Sequence, residues 1–395
     1  VKYAIIIPDG AADKPLEELS GKTPLQAAVT PNMDWIAANG KVGTVRTVPA
    51  GMSPGSDVAI LSVLGYDPRQ YYTGRAPLEA AAQGLSVAPD EWIFRCNMVT
   101  VIDGIMEDYS AGHISTEEAE ELIAELNRQL STPQMRFYRG VSYRHLMTYK
   151  GSLAVKTTPP HDITGKPVAG HLPTGDGAER LRAIMDAARP IVEGHEINAV
   201  RRDLNENPAT AIWLWGEGKM PQLDSFHKRF GLSGAAITAV DLVRGLATLI
   251  GWERINVPGA TGYLDTNFAG KGEAAVAALD KHDIVCVHVE APDECGHNAD
   301  AAGKVQSISL IDQHVVGPVL ARLRTMGDDW RILVMPDHPT PCSIRTHTGD
   351  PVPFAMAGKR VQSLRDGVFD EATAAAADLH IDRGCEMMEY FLTVR

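Results

Sequence analysis

Residues 284–297 read Ile284-Val285-Cys286-Val287-His288-Val289-Glu290-Ala291-Pro292-Asp293-Glu294-Cys295-Gly296-His297, and the fold is decided here. Asp283–Val289 is β-branched and almost wholly apolar, as a strand covered on both faces should be. It runs into acids. Asp293 and His297 are four apart, so one helical turn puts a carboxylate and an imidazole on the same face. Outward from this stretch the same grammar recurs twice. Tyr3–Ile7 ends in Pro8-Asp9-Gly10, and Arg331–Met335 ends in Pro336-Asp337-His338, with His347 a short loop later. Ligands of open α/β sheets gather at the carboxyl ends of strands, so these strand ends predict one common site. A lone D-x-x-x-H or Asp-His is a common surface pair; the weight lies in the coincidence of position. His288 alternates inside the strand and reads as a satisfied core histidine, and Cys295 as a bystander between two ligands.

The rest of the chain sorts around this pattern. Thr30 is placed to cap a helix with Pro31 in its first turn and Gly40 after Asn32–Asn39. A second helix is expected from about Ser56 to Leu64, stopped by Gly65. From Cys96 the texture changes to a hairpin around Asp103-Gly104 and then an amphipathic helix. Ser115 and Glu118 form its capping box, and Ala119, Leu122, Ile123, Leu126 and Leu130 form its apolar face. Helical sequence returns at Ala178–Ala188. From about Ala209 the α/β texture resumes with strand Ala211–Trp215, helices Ala239–Leu249 and Glu273–Leu279, a long helix over Ser307–Arg324 and a helix-compatible end at Gly384–Leu392. The expected architecture is an α/β core sheet flanked by helices, made from residues 1–95 and 209–395, with a smaller α+β domain inserted at 96–208.

Composition limits what such a protein does. The 395 residues are 44% hydrophobic and 22% charged, ordinary for a globular chain. The net charge of −13 argues against nucleic acid or anionic lipid as a partner. Apolar runs fall far short of the about 20 residues that cross a bilayer. Val1–Gly10 is too short an apolar stretch for a signal peptide, so a cytoplasmic location is expected. Five scattered cysteines without a CxxC pair suggest reduced thiols. No G-x-x-x-x-G-K-[ST] occurs, which removes a P-loop kinase.

Carboxylates and imidazoles without cysteine suit Mn²⁺, Mg²⁺ or Zn²⁺. Asp9, Asp293, His297, Asp337, His338 and His347 are enough for two ions, and two metals imply phosphoryl or ester chemistry. Such chemistry needs a nucleophile. Gly51-Met52-Ser53-Pro54-Gly55-Ser56-Asp57 supplies a hydroxyl at a helix start, where N–H groups and the dipole favour phosphate. The competing role for Ser56 is a plain helix cap.

Taken in order, Pro8-Asp9-Gly10, Pro54-Gly55-Ser56-Asp57, Asp293-x-x-x-His297, Asp337-His338 and His347-Thr348-Gly349-Asp350-Pro351-Val352-Pro353-Phe354 resemble the alkaline phosphatase superfamily. More closely, the chain is similar throughout its length to archaeal-type cofactor-independent (2,3-bisphosphoglycerate-independent) phosphoglycerate mutases. Leu64-Gly65-Tyr66-Asp67-Pro68, Tyr71-Tyr72-Thr73-Gly74-Arg75, Val141-Ser142-Tyr143-Arg144-His145 and Pro258-Gly259-Ala260-Thr261-Gly262 strengthen the likeness. The resemblance implies a phosphatase-like core interrupted by a smaller domain. It implies one divalent ion on Asp9, Ser56, Asp337 and His338, and a second on Asp293, His297 and His347. It also implies that Ser56 takes the phosphoryl group of 3-phosphoglycerate and returns it to the 2-hydroxyl, with no free phosphorylated cofactor. Other acceptors stay open: homoserine with ATP in a kinase-like relative, or water in a phosphomonoesterase.

An anionic substrate on an acidic protein calls for guanidinium donors. Arg139 and Arg144 with His145 are the candidates in the insertion and Arg75 the candidate from the core, with His113, His161 and Asp162 facing glycerate hydroxyls or carboxylate. A structural salt bridge or a solvated loop charge is the alternative for each.

Overall fold

The computed structural model describes residues 1–362 and 367–393. Its strands, in chain order, begin with β1 (Lys2–Pro8) and β2 (Lys41–Val45). Then come β3 (Trp92–Ile102), β4 (Ile105–Asp108), β5 (Met135–Val141), β6 (Arg144–Tyr149), β7 (Ala154–Lys156), β8 (Thr174–Asp176) and β9 (Ala211–Lys219). The last are β10 (Gly234–Ile237), β11 (Glu253–Ile255), β12 (Ile284–Val289), β13 (Trp330–Val334), β14 (Val352–Gly358) and β15 (His380–Ile381). They divide between two compact units, residues 1–72 with 223–395, and residues 73–222.

The first unit is built on an eight-stranded sheet in the order β11-β10-β12-β1-β13-β14-β2-β15. All neighbours are parallel except β14, which runs antiparallel to both β13 and β2. The sequences of β1, β12 and β13 explain their central place. Ile5, Ile6, Ile7, Ile284, Val287, Ile332, Leu333 and Val334 are wholly buried, as strands with helices on both faces require. Because β1 lies between β12 and β13 in parallel register, Pro8 opposite Val289 and Ile6 opposite Val334, the three chains emerge at one sheet edge.

The second unit is an antiparallel sheet in the order β4-β3-β6-β5, with β9 also on β3. Helices Thr116–Leu130 and Ala178–Glu193 contribute Leu122, Leu126, Leu181 and Ala188 to its apolar core, shared with Phe94, Phe137 and Met147 of the strands. The capping box is present: Ser115 Oγ accepts from Glu118 N–H, and the Glu118 carboxylate accepts from Ser115 N–H.

Two expectations are corrected. The unit starting at Thr73 and ending at Gln222 is longer at both ends than 96–208, since Ala211–Lys219 pairs with β3 and not with the core sheet, and helix Arg75–Ala82 packs on β3 and β9. The run Ser307–Arg324 is helical throughout, as expected, and belongs to a longer helical stretch in which Ala301–Ile311 passes through a π turn at Asp312–Val316 into Gly317–Arg324; the second correction is the cap of helix Pro31–Ala38. At that turn Asp312 accepts from the N–H groups of Asn32 (3.2 Å) and Met33 (2.7 Å), so it caps helix Pro31–Ala38, and Thr30 makes no side-chain cap. Among the described residues no helix is long and apolar enough to cross a membrane.

Candidate metal centre

At the shared sheet edge each strand delivers its side chain directly. Asp9 follows β1, Asp337 and His338 follow β13, and helix Ala291–His297 after β12 carries Asp293 and His297 one turn apart. Asp9, Asp337 and His338 are essentially inaccessible to solvent. Gly10 turns the chain away with φ +63°, and a Cβ there would lie 2.6 Å from both Asp293 Oδ1 and Thr340 Oγ1, so only glycine lets the strand end approach. Ser56 is the first residue of helix Ser56–Val63 and does not cap it; Gly55 occupies the cap position.

Ser56 Oγ lies 3.1 Å from His338 Nε2 and 3.3 Å from Asp9 Oδ2. His338 Nε2 is in turn 3.4 Å from Asp9 Oδ1 and 3.4 Å from Asp337 Oδ2. Beside this group, His297 Nε2 and His347 Nε2 approach to 2.9 Å, at 3.2 and 3.4 Å from the two Asp293 oxygens. Thr340 joins the halves. Its hydroxyl donates to Asp293 Oδ1 and accepts from His338 Nδ1 at 3.2 Å.

The hydrogen bonds assign the ring protons. His297 Nδ1 faces the Arg345 carbonyl (3.0 Å) and His347 Nδ1 the Pro54 carbonyl (3.3 Å), so each neutral ring carries its proton on Nδ1. The Nε2 lone pairs of His297, His338 and His347 therefore point at one another and at carboxylates. Such an arrangement of donors without protons is repulsive until a cation enters it. Asp337 Oδ2 adds to the demand, being buried with no hydrogen-bond partner. Burial, then the nearby Asp337 carboxylate, pushes the Asp9 pKa well up. His297 is pushed up to about 9, chiefly by its hydrogen bond to Asp293, so in the absence of metal a proton supplies the missing positive charge. Three donor triads result, Asp293-His297-His347, Asp9-Asp293-His338 and Asp9-His288-Asp337, the ligand atoms of each lying within 4.8 Å. This oxygen and nitrogen set fits two divalent ions of the Mn²⁺, Mg²⁺ or Zn²⁺ kind.

The insertion unit holds a different kind of cluster. Arg95 on β3 is buried, pairs with Glu79 at 3.1 Å and lies 4.1 Å over the Trp215 ring. His161 packs on Trp215 (5.3 Å) and on Tyr109 (6.1 Å), Tyr109 on Tyr143 (5.8 Å), and His113 on Tyr143 (6.0 Å). Arg144 lies 5.6 Å from the Tyr143 ring. Burial above all, opposed by Glu79 and reinforced by Arg75 and Arg144, lowers the Arg95 pKa. Thus Arg75, Arg95, Arg144, His113 and His161 share one neighbourhood, with Asp162 3.7 Å from His161. Two expected members fall elsewhere. Arg139 is tied to Glu120 at 2.9 Å on an exposed face. His145 points to the opposite side of β6 from Arg144, is buried, and accepts from Gly140 N–H at Nδ1 (3.0 Å), out of a ligand's reach.

A model of the 2,3-bisphosphoglycerate-independent phosphoglycerate mutase family matches residues 37–198. The curated 2,3-bisphosphoglycerate-independent phosphoglycerate mutase of Methanothrix thermoacetophila is 51% identical over 392 residues, covering 99% of this chain and all of that one. The chain belongs to the 2,3-bisphosphoglycerate-independent phosphoglycerate mutase family. Another relative, the enzyme of that name from Methanosarcina acetivorans, is 47% identical over the full length of both chains. Among solved structures, the PH0037 protein of Pyrococcus horikoshii aligns with TM-score 0.84 at 30% identity, over 99% of this chain and 96% of that one. The cofactor-independent phosphoglycerate mutase of Thermoplasma acidophilum aligns with TM-score 0.69 at 29% identity, over 99% and 98%.

In this mutase-family chain, sequence reasoning missed three polar groups. His288 is buried as expected, yet its partner is Asp9, with Nε2 2.9 Å from Asp9 Oδ2. The signal lies in register: His288 stands opposite Ile7, two residues before Asp9, but only once β1 and β12 are known to be neighbours. Thr340 lies in a loop with no periodicity to mark it. Arg95 sits in an apolar strand, where a buried guanidinium by itself hinted at a fixed partner.

Proposed function

We propose that this chain interconverts 3-phosphoglycerate and 2-phosphoglycerate through a phosphorylated Ser56 without free bisphosphoglycerate. Asp9, Ser56, Asp337 and His338 would hold one divalent cation, and Asp293, His297 and His347 the other. The observation that carries the reading is the approach of Ser56 Oγ to His338 Nε2 and Asp9 Oδ2, at 3.1 and 3.3 Å, in the midst of these donors. Divalent cations in such a site lower a hydroxyl's pKa and offset charge on phosphoryl oxygens.

The chain's own groups do the positioning. His338 Nε2 and the Asp9 carboxylate are acceptors within reach of the Ser56 hydroxyl proton. Helix Ser56–Val63 starts at the nucleophile, so its first-turn N–H groups and positive end favour an anion attached to Oγ. The glycerate must stay bound while Ser56 carries phosphate, because its 2-hydroxyl is the acceptor. Arg75, Arg95 and Arg144, with His113, His161 and Asp162, are the groups we assign to its anionic and hydroxyl oxygens. A cytoplasmic setting belongs to the same reading.

The test is conversion of 3-phosphoglycerate followed by ³¹P NMR, with Mn²⁺ and no added bisphosphoglycerate. Wild-type protein should isomerise it, and Ser56→Ala should abolish turnover. Full activity in Ser56→Ala, phosphate release exceeding isomerisation, or ATP-dependent phosphorylation of homoserine in place of mutase turnover would overturn the assignment.

A further inference from the structure

Behind the nucleophile, a line of hydrogen bonds leads from the backbone of the core sheet to Asp9. Thr238, just beyond β10, accepts at Oγ1 from Val240 N–H (3.1 Å) and lies 3.1 Å from His288 Nδ1. His288 Nε2 lies 2.9 Å from Asp9 Oδ2. His288 and Asp9 are each only 1% exposed, and Thr238 is buried as well. The contact at each end decides where the protons are. Asp9 Oδ2 is a carboxylate acceptor and takes the Nε2 proton, so in the neutral ring Nδ1 accepts from the Thr238 hydroxyl, whose oxygen accepts in turn from Val240 N–H. That leaves the imidazole neutral with its proton on Nε2, and Nε2–H donates to Asp9 Oδ2. This is the reverse of His297, His338 and His347, whose protons are on Nδ1 and whose Nε2 atoms face the site.

We infer that Thr238 and His288 are positioning residues that lock the Asp9 carboxylate, holding Oδ2 by a fixed N–H donor so that Oδ1 is presented toward His338 and the cation. The inference rests on the metal-site reading above. A carboxylate on a short side chain rotates about its Cβ–Cγ bond; the Ser56 hydroxyl reaches Oδ2 only at 3.3 Å, whereas the buried imidazole N–H at 2.9 Å is the closer donor and sets that rotation. Loss of an outer hydrogen bond to a metal ligand typically weakens metal binding by about 10–100-fold. Although His288 lies within reach of Asp9 and Asp337 as a possible third donor, in this account it acts behind Asp9 and is not a ligand, since its Nε2 carries a proton.

Three variants test it: His288→Leu removes the donor, His288→Gln keeps an N–H near the Nε2 position, and Thr238→Val removes the hydroxyl that fixes the tautomer. Mn²⁺ affinity is measured by EPR titration of metal-free protein without substrate, so the result is independent of whether the chain turns over phosphoglycerate. His288→Leu should bind Mn²⁺ about 10–100-fold more weakly, with His288→Gln within about threefold of wild type and Thr238→Val between the two. ¹⁵N-histidine NMR of the metal-free protein, with the His288 signals assigned by their loss in His288→Gln, should report a neutral ring protonated at Nε2. The spectrum also serves as the folding control, because the other ring signals should persist. Unchanged affinity in His288→Leu, equal weakening in Gln and Leu variants, or a ring protonated at Nδ1 would overturn the inference. So would a ¹⁴N coupling to bound Mn²⁺ that vanishes in His288→Gln, which would make His288 a direct ligand. Absence of mutase turnover in wild-type protein would count against the phosphoglycerate reading alone.

Discussion

The sheet edge of the core unit and the arginine cluster of the insertion unit solve different problems with different materials. At the sheet edge Asp9, Asp293, Asp337 and His338 are buried, Ser56, His297 and His347 are half-buried, and the strand ends, a helical turn and a glycine with positive φ hold them in place. In the insertion, Arg144, His113 and His161 are exposed, while Arg95 is locked between Glu79 and Trp215. Fixed, desolvated donors suit chemistry that tolerates little displacement. Exposed guanidiniums on an aromatic floor suit capture of an anion from water. The contrast can be broken by substitutions that should fail in different ways on the two sides.

The sharpest of these is Asp337→Asn in the core. The change is isosteric, but it removes a negative charge and leaves an amide where Oδ2 has no hydrogen-bond partner. Turnover in the ³¹P assay should fall by about 10³-fold or more, with metal affinity reduced and the KM of residual activity little altered. A loss expressed mainly in KM would place Asp337 on the substrate side and blur the distinction.

His145 sharpens the comparison from the insertion side, because it is a titratable group with no expected catalytic part. Burial pulls its pKa down to about 4, and its Nε2 has no partner. The folded state keeps it neutral, whereas the unfolded chain's imidazole takes up a proton near pH 6.5. The stability tied to this group is therefore fully present above about pH 6.5 and is lost as pH falls toward 4. The largest loss is roughly 3 kcal/mol at 1.36 kcal/mol per pH unit. His288 is depressed to about 4 as well, so only the difference between wild type and His145→Asn isolates the insertion. Urea melts at pH 7 and pH 5 should show wild type losing more stability than the variant; parallel losses would mean that His145 is hydrated and reachable.

These two residues also show what could be read from sequence. Continuous apolar strands ending in Asp9, Asp293 and Asp337 announce both a parallel sheet and its site, because burial on two faces and the chemistry at the strand end are written within a few residues of each other. Antiparallel strands reverse the matter. Arg144 and His145 are adjacent on β6 and point to opposite sides, so the Arg-His pair splits into one exposed and one buried member, and only tertiary packing says which. Partners distant in sequence were equally hidden. Asp312 caps a helix 280 residues away, and Ala211–Lys219 has the same apolar alternation whether it joins the core sheet or β3.

A smaller effect separates the candidate arginines from one another. Arg144→Ala should raise KM for 3-phosphoglycerate by about 10–100-fold, the scale of a hydrogen bond to a charged group, with kcat changed less. Arg139→Ala should leave KM within about twofold, since its exposed pair with Glu120 is worth little. Steady-state kinetics on the two variants side by side decides the point, and equal effects would dissolve the cluster.

The smallest effect tests whether the insertion's framework and its ligand-facing residues are separable at all. Ser115→Ala deletes one half of the capping box and should cost about 1 kcal/mol of stability. The consequence travels through Glu118, whose carboxylate accepts from Ser115 N–H at 3.0 Å and also meets Arg201 at 2.9 Å. Arg201 is buried and donates to the carbonyls of Ala111 and Asn207, so it fastens the loop just before His113. Because the Ser115 N–H and the Arg201 guanidinium both remain in Ser115→Ala, Glu118 keeps two of its contacts and the loop should hold. The variant should therefore melt earlier with KM and kcat unchanged, whereas Glu118→Ala, which leaves Arg201 only its Glu206 carboxylate at 3.0 Å, should lower stability further and raise KM through His113. A KM shift already present in Ser115→Ala would mean that the cap itself sets the position of the loop.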